Sequence, residues 1–96
     1  MREDLEMPKI EMYTTAVCPY CVRAKLLLQS RGLIWEEIRI DLEYSRQSEM
    51  LERSKRRSVP QIFIDGMHIG GFDDLAKLDT NGELDQILEN SKDVKK

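Results

Sequence analysis

The feature that most limits the fold of this chain is a pair of cysteines, Cys18 and Cys21, at the junction of two sequence patterns. A loosely alternating run from Ile10 to Thr14 precedes the pair and predicts a short strand. Residues 18–31 carry apolar side chains at helical spacing, with Pro19 in the first turn, where a missing N–H is tolerated. The sequence therefore predicts a strand followed directly by a helix whose first turn holds both sulfurs.

The first sulfur of the pair is predicted to be reactive. Free N–H groups and the positive end of the helix dipole favour a thiolate at a helix start. In such settings the pKa of a cysteine falls from about 8.5 to about 3.5–7.5. Cys21 lies one turn deeper on the apolar stripe, so we expect it to be less exposed. These positions predict that Cys18 attacks a disulfide and that Cys21 resolves the resulting mixed disulfide.

The same cysteine pair could instead be half of a zinc site or two structural cysteines. Zinc is usually bound by about four ligands. The sequence has only 2 cysteines and 1 histidine, so we expect no metal. Free cysteines also fill apolar positions as small hydrophobic residues, but a Cys-Pro-Tyr-Cys run at a strand–helix junction favours redox chemistry.

Size and charge exclude several functional classes. With 96 residues the chain is expected to form one domain, over residues 8–90, between a flexible lead-in at 1–7 and a flexible tail at 91–96. Its net charge of −3 argues against general nucleic-acid binding. No apolar run approaches the ~20 residues of a membrane span, and the charged start does not resemble a signal peptide. We expect a cytoplasmic monomer.

The remaining patterns predict an α/β fold in the order β-α-β-α-β-β-α-α. A strand–helix–strand unit implies a right-handed crossover between parallel strands, and a final hairpin adds antiparallel strands. The expected product is a four-stranded mixed sheet flanked by helices on both faces. After the first helix, we expect strands at 33–40, 62–64 and 67–69, helices at 45–53, 73–79 and 83–90, Ser45 as an N-cap, and Asp65-Gly66 as a hairpin turn.

Three segments, taken together, resemble a known family. They are Cys18-Pro19-Tyr20-Cys21, the run from Ser58 to Ile64, and the run from Ile69 to Leu75. In this order and spacing they resemble the dithiol glutaredoxins, particularly the bacterial glutaredoxin 3 group, over about residues 8–88. The resemblance implies the thioredoxin fold and glutathione-dependent reduction of protein disulfides and glutathione mixed disulfides. It makes glutathionylated or disulfide-containing proteins the expected partners, with ribonucleotide reductase among the candidates.

The resemblance also implies a glutathione site. From the residues alone, Pro60 is expected to be a trans proline that opens a strand. The family instead implies a cis Val59-Pro60 bond that turns the Val59 backbone toward the glutathione cysteine. Gly70 and Gly71 would allow close approach, and Asp74 would bind the ammonium group of the γ-glutamyl end. The full predicted glutathione-binding set is Tyr20, Arg57, Ser58, Val59, Pro60, Gly71, Phe72, Asp73 and Asp74.

One position departs from the family pattern. Many glutaredoxins have a lysine in the loop before the first cysteine, where this chain has Thr15. We expect Arg56 or Arg57, in the basic connector before Ser58, to supply the missing positive charge.

Three alternative functions remain open at this stage. A redoxin that is reduced by thioredoxin reductase and serves ribonucleotide reductase is disfavoured by the Gly-Gly-Phe-Asp-Asp turn, because that turn supplies the glutathione end-group site. An iron–sulfur carrier, in which two chains share a cluster through Cys18 and two glutathiones, is disfavoured by Pro19. A plain binding module predicts that Cys18→Ser leaves the function intact.

Overall fold

The computed structural model describes residues 8–94 and has the predicted order of elements. The thioredoxin-type α/β fold class is confirmed. The predicted lead-in at 1–7 lies outside the described residues. The elements are β1 (Ile10–Thr14), α1 (Pro19–Ser30), β2 (Glu36–Arg39), α2 (Tyr44–Ser54), β3 (Gln61–Ile64), β4 (Met67–Gly70), α3 (Phe72–Thr80) and α4 (Glu83–Val94).

The four strands form one mixed sheet in the order β2-β1-β3-β4. Strand β1 is parallel to β2 and antiparallel to β3, and β3 is antiparallel to β4. The β3–β4 hairpin turns at Asp65 (φ 50°) and Gly66 (φ 83°), both left-handed, as an Asp-Gly turn of this kind requires. Because β1 and β3 are antiparallel, the end of β1, which leads to the cysteines, lies beside the start of β3, which follows residues 58–60.

The core lies on both faces of the sheet. Helices α1, α3 and α4 cover one face, and α2 covers the other. The first face buries Ile10, Met12, Ala24, Leu28, Ile62, Ile64, Leu75 and Leu84, and the second buries Tyr13, Ile38, Ile40, Met50 and Phe63. Within residues 8–94, none of the helices combines the length and the hydropathy that crossing a bilayer requires.

Several predicted boundaries were wrong. Strand β2 begins at Glu36 rather than at residue 33, because its pairing with β1, its only neighbour in the sheet, begins with the Glu11–Glu36 pair. Ile34 is consequently 68% exposed instead of facing the core. Helix α2 is capped by Glu43, without a side-chain hydrogen bond, and not by Ser45. Helix α4 continues to Val94, four residues into the segment predicted as a tail.

Candidate active site

Cys18 is the N-cap of α1. Its backbone is extended (φ −153°, ψ 96°), and Pro19 occupies the first helical position. The Cys21 backbone N–H donates to the Cys18 sulfur at 3.1 Å, and the Val22 N–H donates to the Cys18 carbonyl oxygen at 3.1 Å. A helix amide and the positive end of the helix dipole therefore meet at the sulfur, an arrangement that stabilises a thiolate in the reduced protein.

The two cysteines are joined as a disulfide, with their Cα atoms 5.2 Å apart. Cys18 is partly exposed, whereas Cys21 is only 1% exposed and shares its helix face with the buried Ala24 and Leu28. The difference in exposure is the one expected from their positions along the helix. An external disulfide can approach the Cys18 sulfur far more readily than the Cys21 sulfur.

The segment from Ser58 to Pro60 faces the cysteine pair. Its Val59-Pro60 peptide bond is cis, so the trans proline expected from the residues alone was wrong and the expectation from the family resemblance is confirmed. The Val59 carbonyl oxygen lies 3.7 Å from the Cys18 sulfur. Beneath the segment, the Gln61 side-chain N–H group donates to the Ser58 carbonyl oxygen at 3.1 Å. Backbone atoms of this segment are thus presented next to the reactive sulfur.

A second segment, at the start of α3, lies across from the first. Gly71 caps α3, and the Asp74 carboxylate accepts the Gly71 backbone N–H at 2.9 Å. Gly70 has φ 120°, and a Cβ atom there would collide with the Asp74 carboxylate. Hydrogen bonding to the Gly71 N–H, and then to the Arg56 guanidinium, lowers the pKa of Asp74. The helix start thus offers a fixed carboxylate beside backbone N–H groups that suit an anion.

A groove of about 280 Å³ separates these two segments. Tyr20 is one of the residues that line the groove, and its ring stacks on that of Phe72 with the centroids 6.3 Å apart. Every predicted glutathione-binding residue except Arg57 lines the groove. The lining residues are Tyr20, Arg56, Ser58, Val59, Pro60, Gly71, Phe72, Asp73 and Asp74.

Arg56, and not Arg57, is the arginine of this groove. One Arg56 guanidinium nitrogen lies 3.0 Å from the Asp74 carboxylate. Arg57 is exposed and lies outside the lining of the groove. Between the two residues that could replace the family lysine, the geometry favours Arg56.

Asp41 is a residue near the site that nothing in the sequence singled out. The Ala16 backbone N–H, in the loop before Cys18, donates to the Asp41 carboxylate at 3.1 Å. Arg39 donates to the same carboxylate at 2.7 and 2.8 Å, and this pairing is the main reason that the pKa of Asp41 falls to about 2. The available signal was that Asp41 follows β2, whose end lies beside the end of its parallel neighbour β1.

Two further features bear on the choice of site. A larger groove, of about 720 Å³, lies between the C-terminal end of α1 and α4, away from both cysteines, and its charged wall includes Arg31 paired with Asp85. Among the side chains of residues 8–90, no three of histidine, cysteine, aspartate or glutamate converge as metal ligands would. The reactive sulfur therefore identifies the smaller groove as the candidate site.

The sequence is similar to those of known proteins. The Glutaredoxin family model matches residues 10–69. The sequence is 52% identical to Glutaredoxin 3 of Escherichia coli K12 over 83 residues, which cover 86% of this chain and all of that protein. It is 45% identical to a glutaredoxin of Pseudomonas aeruginosa over 82 residues, which cover 85% of this chain and 98% of that protein.

Solved structures have the same fold. The crystal structure of a buckwheat glutaredoxin–glutathione complex matches with a TM-score of 0.80 at 28% identity, covering 94% of this chain and 84% of the buckwheat chain. The solution structure of a Brucella melitensis glutaredoxin matches with a TM-score of 0.76 at 44% identity, covering 86% of this chain and 90% of that chain.

Proposed function

This chain belongs to the glutaredoxin family of thiol-disulfide oxidoreductases, and we propose that it reduces glutathione mixed disulfides and protein disulfides with electrons from glutathione. The observation that carries the proposal is the groove lined by Val59, whose carbonyl oxygen lies 3.7 Å from the Cys18 sulfur. One wall of this groove offers extended backbone, and the other offers a helix start with a carboxylate. A γ-glutamyl tripeptide has complementary groups: an extended backbone, a free carboxylate and an ammonium group.

In the proposed reaction with a glutathione mixed disulfide, the Cys18 thiolate attacks the glutathione sulfur. A bond forms between Cys18 and glutathione, the original disulfide breaks, and the substrate protein leaves as a thiolate that takes up a proton. A second glutathione thiolate then attacks the glutathione sulfur on Cys18. Oxidised glutathione leaves, and Cys18 returns as a thiolate, so the net change is a two-electron reduction of the substrate.

Protein disulfides would use both cysteines. Cys18 attacks one sulfur of the substrate disulfide, and a substrate thiol leaves. Cys21 then loses its proton and attacks the Cys18 sulfur, which releases the second substrate thiol and leaves the Cys18–Cys21 disulfide. The 5.2 Å Cα separation and the shared helical turn support this closure. Two glutathione molecules would restore the dithiol and leave as oxidised glutathione.

Binding of glutathione is proposed to use both walls of the groove. The Val59 backbone would pair with the backbone of the glutathione cysteine and so place that sulfur next to Cys18. The N–H groups at the start of α3 would bind the γ-glutamyl carboxylate, and Asp74 would bind its ammonium group. Arg56, 3.0 Å from Asp74, would supply positive charge at this groove. We further propose that the protein acts as a monomer in the cytoplasm, with ribonucleotide reductase as one candidate substrate.

A glutathione-coupled assay tests the proposal. The purified protein is supplied with glutathione, glutathione reductase, NADPH and a glutathionylated peptide, and oxidation of NADPH is followed. We expect Cys18→Ser to reduce the rate to background, because the remaining thiol, that of Cys21, is only 1% exposed and out of reach of the substrate disulfide. Cys21→Ser is the matched variant, since it removes the buried sulfur alone. It should retain activity on the mixed disulfide and lose activity on a protein disulfide.

Similar reagents separate the proposal from two of its alternatives, the redoxin served by thioredoxin reductase and the plain binding module. Glutathione should regenerate thiols in the oxidised protein, whereas thioredoxin reductase with NADPH should not. Reduction by thioredoxin reductase alone, or an active Cys18→Ser variant, would contradict the proposed function.

A further inference from the structure

A chain of hydrogen bonds runs from β4 to the wall of the groove at residues 58–60. His68, the only histidine of the sequence, lies on β4, and its Nε2 atom is 2.7 Å from the Gln61 side-chain oxygen. The Gln61 nitrogen donates to the Ser58 carbonyl oxygen at 3.1 Å and to the Ser58 hydroxyl at 3.3 Å. Gln61 is fully buried, so its amide has no solvent to satisfy it. The chain thus links a partly buried ring to the segment that faces Cys18.

The chemistry of these groups fixes the direction of the bonds. Because the Gln61 nitrogen donates to the Ser58 carbonyl oxygen, the Gln61 side-chain oxygen must face His68. An amide oxygen can only accept, so the proton of this bond belongs to His68 Nε2. Burial is the largest cause that lowers the pKa of His68, which favours the neutral form of the ring.

The position of the His68 ring is fixed by the sheet. A register irregularity pairs Phe63 with His68 but Ile62 with Gly70. The Phe63 and His68 rings therefore lie on one face of the sheet, with their centroids 5.0 Å apart. The Arg53 guanidinium lies 3.9 Å from the centroid of the Phe63 ring. Packing thus holds the Nε2 atom of His68 in place, so that only a side chain of similar length could present a donor to the Gln61 oxygen.

We propose that His68 is a positioning residue for the glutathione groove. Acting through Gln61, it fixes the Ser58 backbone and thereby the Val59 carbonyl that lies 3.7 Å from the Cys18 sulfur. His68 does not line the groove, so its effect on the substrate is indirect. This inference rests on the proposed function, because the readout below is the binding of a glutathionylated substrate.

Two variants that carry the same amide group on side chains of different length test the proposal. In His68→Gln, the side-chain nitrogen can occupy nearly the place of Nε2, whereas in His68→Asn the nitrogen falls short by one carbon–carbon bond. We expect His68→Asn to raise the KM for a glutathionylated peptide about five- to tenfold with kcat within about twofold, the range set by losing a buried hydrogen bond. His68→Gln should keep the KM within about twofold of the wild type.

Two measurements separate positioning from a general loss of structure. The rate of Cys18 alkylation by a small neutral reagent does not need the groove, so it should be equal in both variants. The ¹⁵N NMR signals of the Gln61 side-chain amide and of the Ser58 backbone should move in His68→Asn and stay near the wild-type positions in His68→Gln. Should His68→Asn fail to fold, Gln61→Glu replaces it, because a carboxylate can accept from His68 but cannot donate to Ser58.

The outcomes are distinct. Equal KM values for His68→Asn, His68→Gln and the wild type would overturn the proposal, as would an unchanged KM in a folded Gln61→Glu variant. A wild-type protein that fails to react with glutathione would refute the proposed function instead. In that case the NMR signals still decide whether His68 positions the Ser58 segment.

Discussion

The wall of the groove at residues 58–60 is fixed from the protein interior, whereas the wall at residues 70–74 is fixed at the surface. The first is held by the fully buried Gln61, which bonds the Ser58 backbone. The second is held by Asp74, whose half-exposed side chain accepts the Gly71 N–H and pairs with Arg56. Burial therefore makes the first wall insensitive to solvent, whereas the second depends on a single carboxylate whose charge responds to pH and whose ion pair is screened by salt.

The largest predicted effect comes from Gly70→Ala in the surface wall. At φ 120° an alanine is strained, and its Cβ would push the Asp74 carboxylate away from the Gly71 N–H. We expect the free energy of unfolding to fall by about 2–3 kcal/mol, from backbone strain and a lost cap. We expect kcat/KM for a glutathionylated peptide to fall more than about tenfold. Chemical denaturation and the coupled assay measure the two effects.

The matched control for that substitution is Gly82→Ala. Gly82 also has a left-handed backbone, with φ 84°, but a Cβ there would meet nothing within 4 Å. Gly82→Ala should lower the free energy of unfolding by about 1 kcal/mol and leave kcat/KM unchanged. Equal kinetic losses in the two alanine variants would show that the surface wall does not depend on the placement of Asp74.

The second prediction concerns the charge of Asp74. Asp74→Asn should raise the KM for the glutathionylated peptide about fivefold, because it removes a charge-assisted hydrogen bond to the γ-glutamyl ammonium group. The effect is no larger because solvent partly screens this bond in the wild type. The loss should shrink as salt is added. The coupled assay at low and high ionic strength measures it. A KM that does not change in Asp74→Asn would place the ammonium group elsewhere.

The third prediction is the effect of acid on this carboxylate. The folded-state pKa of Asp74 is lowered by the Gly71 N–H and by Arg56. Its contribution to stability is therefore present above the unfolded pKa, near 3.9, and is lost as the pH falls through the folded value. The wild type should exceed Asp74→Asn in stability by at most about 1 kcal/mol at neutral pH, and the gap should close as the pH falls through the folded-state pKa of Asp74. Urea denaturation of both proteins across this range is the measurement, and a gap that widens in acid would contradict the sign.

The fourth prediction compares two neighbouring arginines. Arg56→Ala should raise the KM about two- to fourfold, since an exposed cation contributes roughly 1 kcal/mol or less. Arg57→Ala should leave the KM unchanged, because Arg57 does not line the groove. The reverse result would restore Arg57 as the substitute for the family lysine.

The smallest effect is expected from Ser58→Ala in the interior wall. The Ser58 carbonyl oxygen still accepts from Gln61 when the hydroxyl is removed. The KM should therefore change less than about twofold. A large change would mean that this wall acts through the Ser58 side chain and not through its backbone.

Features set by local chemistry could be predicted from the sequence. Pro19 and the cysteine spacing marked the start of α1, and Asp65-Gly66 marked a turn whose two residues are both left-handed in the structure. The motifs at 58–64 and 69–75 identified most of the residues that line the groove, because in this fold they lie on opposite sides of that groove.

Features set by contacts between distant residues could not be predicted. The length of β2 depends on where its partner β1 begins. The choice between Arg56 and Arg57 depends on the direction of the chain after Lys55. This residue ends α2 in a left-handed conformation (φ 64°), which is usually adopted by glycine and so was not indicated by the sequence. The bond between Gln61 and His68 depends on a register irregularity between two strands. None of these has a signal in a single sequence.

The central place of β1 in the sheet has a consequence for synthesis on the ribosome. Ile10 to Tyr13 pair on one side with Gln61 to Ile64, which are translated some fifty residues later. Both cysteines are synthesised before that segment leaves the exit tunnel. During this interval β1 has an unpaired edge, and the backbone of residues 58–60 is not yet in place beside the cysteines. The nascent chain therefore contains both thiols before it contains the groove that would select their reaction partners.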